Sequence, residues 1–383
     1  MSETNPATSA PTDTVLSSQQ HAKQTIDTRL WGKRVRNLTP YVPGEQPKHE
    51  NLCKLNTNEN PFPPSPKVAD AIAAVLANQA DLLKRYPAPE SDDLRAAMAQ
   101  VYGVNPEQVF VGNGSDEVLA HIFACFFVKD RPLLTPDIGY SFYPVYADTF
   151  GVELINIALQ QDFTIDVNDF RRPCGGIIIA NPNAPTGVLL ALDDIEKLLT
   201  EHPNAVIVID EAYIDFGGDT AKELTRKYDN VLVVQTYSKS RSLAGLRIGY
   251  AIGNKELIKA MNDVKYSYNS YTMNEPSIVL GTAVLEDEEY FQETRNKIID
   301  TREWFQIEMR KIGFSFADSK ANFIFATHES VPAKEIFEAA KKAKIYVRYF
   351  DQPRINNYLR ITIGTREEME TLLDFLKEFT ATK

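Results

Sequence analysis

Five short segments of this chain carry residues whose types and spacing suit one chemistry. The turn Gly112-Asn113-Gly114-Ser115 opens a helical pattern, and free backbone amides at such a turn suit a phosphate. Ser238 can add a hydroxyl to that cradle, and Arg247 a bidentate guanidinium. Lys239 follows an apolar run, a placement that suits an amine nucleophile. Asp210 ends another apolar run, where a carboxylate stays ionised only beside a cation such as a protonated ring nitrogen. Asn181-Pro182-Asn183-Ala184-Pro185-Thr186-Gly187 supplies turn-forming polar groups between two further runs. A phosphate cradle, a Schiff-base lysine and a buried aspartate together describe a pyridoxal phosphate site. Taken singly, each signal has an ordinary explanation: a surface lysine, an ion pair, a cap, a turn, a packed aromatic. All of them would have to hold at once to remove the site.

The elements that must position these residues are legible as periodicity. Val109-Phe110-Val111, Ile177-Ile178-Ile179 and Val206-Ile207-Val208-Ile209 are continuous apolar runs, as expected of strands covered on both faces. Leu133-Leu134, Val152 to Ile157, Val231 to Val234 and Ile248 to Ile252 add further strands. Between them, Leu192, Ile195, Leu198 and Leu199 follow helical spacing, and Ser65-Pro66 starts a helix carrying Val68, Ile72, Val75 and Leu76. The alternation predicts an α/β fold with a mostly parallel sheet between helices, whose ligands sit beyond the carboxyl ends of the strands. The last third reads as a smaller α+β domain. It holds a long helical region from Lys255 to Ile312 and strand-like stretches at Ala321 to Ala326, Tyr346 to Tyr349 and Tyr358 to Ile363. Thr365 and Glu368 form a capping box for the closing helix.

The 383 residues allow two or three domains. The expected division is a disordered tail at 1–24, an arm with part of the small domain at 25–55, a large domain at 56–270 and a small C-terminal domain at 271–383. The net charge of −11 argues against nonspecific binding of nucleic acid or an anionic membrane. Three scattered cysteines suggest a reducing, cytoplasmic compartment without a disulfide framework. The longest apolar stretch, Val118 to Val128, is too short to span a bilayer. The five histidines lack metal-ligand spacing, so no metal site is expected.

The set Asn183-Ala184-Pro185-Thr186-Gly187, Asp210-Glu211-Ala212-Tyr213, Ser238-Lys239 and Ala244-Gly245-Leu246-Arg247 resembles fold-type I pyridoxal-phosphate aminotransferases. Within them the chain is similar to the histidinol-phosphate aminotransferases. That likeness rests on Leu38-Thr39-Pro40-Tyr41, Leu55-Asn56-Thr57-Asn58-Glu59-Asn60-Pro61, Arg85-Tyr86-Pro87 and Tyr358-Leu359-Arg360-Ile361-Thr362-Ile363-Gly364-Thr365.

The resemblance implies catalytic roles for Lys239, Asp210 and Tyr213. Lys239 would bond the cofactor and shuttle the proton. Asp210 would hold the pyridinium proton, and Tyr213 would hydrogen-bond the phenolic oxygen. Tyr140 would stack on the ring. Gly114, Ser115, Thr236, Ser238 and Arg247 would bind the phosphate, with Tyr86 reaching the site of a neighbouring subunit in a homodimer. Arg360 would bind the α-carboxylate of glutamate, and Tyr41 and Arg348 would face the distal group of the substrate. Where aminotransferases commonly carry an asparagine before Pro-Thr-Gly, this chain has Ala184, and Asn183 or Asn181 is the expected replacement.

The implied reaction moves an amino group between histidinol phosphate with 2-oxoglutarate and imidazole acetol phosphate with glutamate. Rival readings are an aromatic amino-acid aminotransferase, a lyase resembling threonine-phosphate decarboxylases, and an inert cofactor fold.

Overall fold

The computed structural model describes residues 30–48, 52–78, 83–128 and 130–383; the expected tail at 1–24 lies outside them. The chain divides into two units, residues 1–38 and 39–383. In the first, the described structure is the short helix Lys33–Asn37 and its flanks.

The second unit contains thirteen described strands: β1 (Cys53–Lys54), β2 (Val109–Asn113), β3 (Leu133–Pro136), β4 (Leu154–Ile157), β5 (Gly176–Ala180), β6 (Val206–Asp210), β7 (Val231–Thr236), β8 (Ile248–Gly253), β9 (Phe314–Phe316), β10 (Phe323–His328), β11 (Ile345–Tyr346), β12 (Arg348–Tyr349) and β13 (Leu359–Thr362). Seven of them form the central sheet in the order β2-β8-β7-β6-β5-β3-β4. Six run in one direction, and β8 alone is antiparallel to its neighbours β2 and β7. The apolar runs form its interior because successive side chains meet cores on opposite faces. Val208 packs with Phe110, Val118 and Ile178, whereas Ile207 and Ile209 pack with Ile177, Ile195 and Leu198.

A four-stranded antiparallel sheet, β12-β13-β10-β9, packs its own core of Ile324, Ile361, Met369, Leu372 and Leu376 against the helices Glu288–Arg310 and Arg366–Ala381. The closing helix starts at the expected capping box, Thr365 with Glu368. A two-stranded parallel pair, β1-β11, joins Cys53–Lys54 to Ile345–Tyr346.

Two expectations need revision. The helical region from Lys255 is three helices, Lys255–Tyr268, Glu275–Leu285 and Glu288–Arg310. Asn274 and Asp287 cap the second and third through their side chains, which compete with an uninterrupted helix. The stretch Tyr346 to Tyr349 is two strands in different sheets, broken at Val347. Among the described residues no helix is long and apolar enough to cross a membrane.

Candidate active site

The strand directions gather the chemistry at one edge. β2, β5, β6 and β7 end there, so Gly114-Ser115, Asn181, Asp210 and Ser238-Lys239 lie at or just beyond it. β8 runs the other way, so the residue before it, Arg247, lies at the same edge. The pairing Asn113↔Ile248 then sets Gly114 beside Arg247. The approach is tight: a Cβ on Gly114 would overlap the Arg247 guanidinium, and Gly114 has a φ of +84° that side chains resist. Gly114 is the N-cap of the helix Ser115–Phe126, whose first amides face outward.

Above this edge lies a cavity of about 280 Å³. Ser115, Tyr140, Asp210, Tyr213, Thr236, Ser238, Lys239 and Arg247 line it, together with Tyr41, Arg348 and Arg360. Asp210 is buried; its Oδ2 accepts from the Tyr143 hydroxyl at 2.8 Å, and among the described residues its Oδ1 has no hydrogen-bond partner. Burial pushes the Asp210 carboxyl up to about 6, against the pull of the Tyr143 hydroxyl and the Ala212 amide. A buried carboxylate oxygen left unmatched on a cavity wall suits a ligand N–H, above all a cationic one. Lys239 Nζ reaches the Thr57 carbonyl at 3.3 Å and lies 5.7 Å from the Tyr213 ring centroid. Ser238 N–H donates to Thr236 Oγ1 at 3.1 Å, which keeps the two hydroxyls 3.0 Å apart.

The part of the lining from β12 and β13 is cationic by construction. Pairing of β12 with β13 sets Arg348 directly opposite Arg360. Like charges at facing positions repel, so the pair favours an anion between or above it. Burial lowers Arg360 from the ordinary guanidinium value. Its Nη2 donates to the Asn56 carbonyl at 3.0 Å, while its Nε has no hydrogen-bond partner among the described residues. Phe323 and Phe350 flank the same guanidinium at 5.5 and 5.7 Å. Tyr41 sits against Phe142 at 4.7 Å; burial raises its hydroxyl, and Arg348 and Arg360 draw it back.

Four of the expected residues do not line the cavity. Gly114 stands just behind Arg247. Asn183 is buried in its own loop, and its amide donates to the Ile138 carbonyl at 3.1 Å and Thr186 Oγ1 at 2.9 Å. Asn181 is similarly tied to Leu190 by two bonds, so Ala184 alone of this loop's first four residues after β5 faces the cavity. Tyr86 stacks on Tyr271 at 4.6 Å and is 81% exposed.

Other residues enter that sequence reasoning had assigned no role. Asp116 takes the Tyr140 hydroxyl on Oδ1 at 3.0 Å and Arg247 Nη2 on Oδ2 at 3.1 Å. Asn56, Thr57 and Asn58 line the wall near Arg360 and Lys239. The polar run Asn56-Thr57-Asn58-Glu59-Asn60 carries no periodicity, and its signal in the sequence is the family resemblance, which gave these three residues no individual role.

The donor set fits a flat ligand with a protonated ring nitrogen for Asp210, an anionic group at the Gly114–Arg247 corner and a carbonyl carbon near Lys239. The sequence pattern described as aminotransferase class I and II matches residues 50–376. The chain is 56% identical over 365 residues to histidinol-phosphate aminotransferase 2 of Psychrobacter arcticus, covering 93% of this chain and 97% of that one. It is 54% identical over 351 residues to the histidinol-phosphate aminotransferase of Acinetobacter baylyi, covering 92% and 97%. Among solved structures, the histidinol-phosphate aminotransferase of Sinorhizobium meliloti in complex with pyridoxal-5'-phosphate superimposes with a TM-score of 0.82 at 23% identity, over 92% of this chain and 98% of that one. The enzyme from Clostridium acetobutylicum gives 0.79 at 22% identity, over 86% and 99%, and both superpositions speak for the fold alone. The identity to curated relatives carries the assignment further: this chain belongs to the histidinol-phosphate aminotransferase family, within the class I and II aminotransferases.

Proposed function

We propose that the chain binds pyridoxal 5'-phosphate and moves an amino group between histidinol phosphate with 2-oxoglutarate and imidazole acetol phosphate with glutamate. The observation that carries this reading is the unmatched Oδ1 of buried Asp210, on the cavity wall that also bears Lys239. When bound, the cofactor supplies an electron sink and a temporary carrier for the amino group. Asp210 holds the ring-nitrogen proton, and Tyr213 donates to the phenolic oxygen. Tyr140 covers the ring face, and Tyr143 keeps the Asp210 carboxylate oriented. The amides at Gly114 and Ser115, the hydroxyls of Thr236 and Ser238 and the Arg247 guanidinium hold the phosphate. Lys239 Nζ would take the proton from the substrate α-carbon and deliver it to the cofactor carbon on the other side of the shared nitrogen, two atoms away. Arg360 orients the α-carboxylate of glutamate, and Arg348 with Tyr41 receives the distal carboxylate or phosphate.

The same reading takes 56–270 as the cofactor-binding domain, and 25–55 with 271–383 as the substrate-facing one. It takes the working form as a cytoplasmic homodimer with shared sites, supported by Tyr86, which stands exposed and outside its own cavity wall. The two arginines serve anionic distal groups better than an aromatic ring, which favours the phosphate acceptor over aromatic 2-oxo acids. Single-turnover rates of the amine-loaded enzyme with imidazole acetol phosphate and with phenylpyruvate test the choice. The phosphate acceptor is expected to react at least tenfold faster, by the roughly 1.4 kcal/mol that one charge-assisted contact supplies. Equal rates overturn the assignment.

A further inference from the structure

The proposed function asks the Tyr213 hydroxyl to donate in a fixed direction, and a phenol proton is free to rotate. The chain of bonds behind it removes that freedom. The Asn58 backbone N–H donates to Thr362 Oγ1 at 3.0 Å. Thr362 therefore uses its single proton on Asn58 Oδ1, also at 3.0 Å. With Oδ1 spent as an acceptor, the Asn58 amide nitrogen faces the Tyr213 hydroxyl at 3.0 Å. An amide nitrogen can only donate, so the phenol oxygen accepts, and its proton is left to point elsewhere. Elsewhere is the cavity, because Phe323 packs edge-on against the ring at 5.0 Å and Ala184 and Ala321 offer no polar side-chain atom.

Asn58 is itself held. It is 1% exposed, its backbone lies in the left-handed region at φ +55°, and its carbonyl accepts from Asn322 Nδ2 at 3.1 Å. Among the described residues it is the one side chain hydrogen-bonded to Tyr213. Its partners come from the antiparallel sheet: Thr362 lies on β13, two residues beyond Arg360, and Asn322 directly precedes β10.

We propose that Asn58, oriented by Thr362, is a positioning residue that turns the Tyr213 phenol proton into the cavity and strengthens its donation there. This inference rests on the proposed placement of Tyr213 against the cofactor's phenolic oxygen. A donor at that oxygen stabilises its anionic form and so lowers the pH at which the visible absorbance of the cofactor-bound protein changes. Removing the Asn58 bond weakens the donor, and the midpoint rises.

The test is the spectral pH titration of the holoenzyme in four forms: wild type, Asn58→Gly, Tyr213→Phe and the double variant. Glycine keeps the positive φ without a side chain. Asn58→Gly is expected to raise the midpoint by about half to one pH unit, the worth of one hydrogen bond. Tyr213→Phe is expected to raise it at least as much, and the double variant no further than Tyr213→Phe alone. A purely structural role for Asn58 would instead shift both backgrounds equally, which overturns the proposal. A shift in Tyr213→Phe with none in Asn58→Gly also overturns it and leaves the proposed function standing. No shift in Tyr213→Phe overturns the placement of Tyr213 and the inference with it. Thr362→Val and Thr362→Ser give a second reading that leaves Asn58 in place. Valine frees the amide to turn and should reproduce part of the shift, whereas serine keeps the hydroxyl and should restore the wild-type midpoint. Equal midpoints for the two count against the proposal. Lys239, Arg360, Tyr41 and Tyr140, the titratable groups that face the phenol, are unchanged in every form.

Discussion

Asp210 and Glu211 are adjacent residues with different tasks. Glu211 points the other way and satisfies itself on Thr220 Oγ1, the Ala221 amide and Gln235 Nε2, although burial still raises it to about 7. Asp210 leaves one oxygen for a ligand. Its burial has a measurable consequence for the cofactor-free protein. The folded state holds the Asp210 proton up to about pH 6, whereas the unfolded chain releases it near the ordinary value of 3.8. The folded state therefore binds more protons across that window, and stability falls as pH rises from about 4 to about 6. Asp210→Asn removes this part of the fall. Its unfolding free energy from urea titration should match the wild type near pH 4 and exceed it above pH 7 by about 3 kcal/mol. Parallel curves for the two proteins would count against the buried-carboxylate account. In the holoenzyme a ligand cation at Oδ1 should largely abolish the difference.

At the scale of elements, the reversed strand β8 does more than complete the sheet. Its first residues carry Arg247 to the site edge and press Gly249 against the turn that precedes the helix Ser115–Phe126. A Cβ on Gly249 would overlap the backbone of Gly114 and Ser115, neither of which can yield as a side chain would. Gly249→Ala should therefore cost about 2–3 kcal/mol and displace the turn proposed to hold phosphate. Thermal melting should show the loss, and equilibrium dialysis should show weaker cofactor retention. A variant that melts and retains cofactor like the wild type would separate the turn from phosphate binding. The site's elements were legible in unequal measure. The apolar runs ending in Asp210 and before Ser238-Lys239 were plain, because a strand buried on both faces has an apolar run as its signature. The segment Asn56–Asn60 was legible only as part of a family likeness and not from its pattern, because its order comes from partners more than a hundred residues away, such as Tyr213 and Thr362.

For the whole molecule, charge and site oppose each other. The chain carries −11 overall, yet its cavity presents Lys239, Arg247, Arg348 and Arg360 against two carboxylates, Asp116 and Asp210. The surplus of acidic groups lies outside the cavity, and a local positive field within an acidic protein draws anionic substrates inward. Exposed Tyr86 belongs to this scale too, since the proposed homodimer gives it a role only in the site of a second copy. Mixing equal amounts of Lys239→Ala and Tyr86→Ala chains tests that directly. If sites are shared, half the dimers are mixed and each holds one complete site, so about a quarter of wild-type activity should return. Activity no higher than that of the Tyr86→Ala chain alone would place Tyr86 within its own subunit or outside the site.

The sequence by itself determined the class of this fold and the chemistry of its strand ends. Periodicity and end position are local properties, so Asp210, Lys239 and Arg247 could be found without coordinates. Tertiary structure alone decided which of the polar residues near those ends face the cavity. Asn183 was a reasonable replacement where Ala184 stands, but its amide is spent on Ile138 and Thr186. Asn58, from a run without periodicity, instead reaches Tyr213 because Thr362 on a distant strand orients its amide. The physical reason is that a hydrogen-bond donor has a direction and a limited number of protons. Which acceptor consumes them depends on what the folded chain brings within about 3 Å.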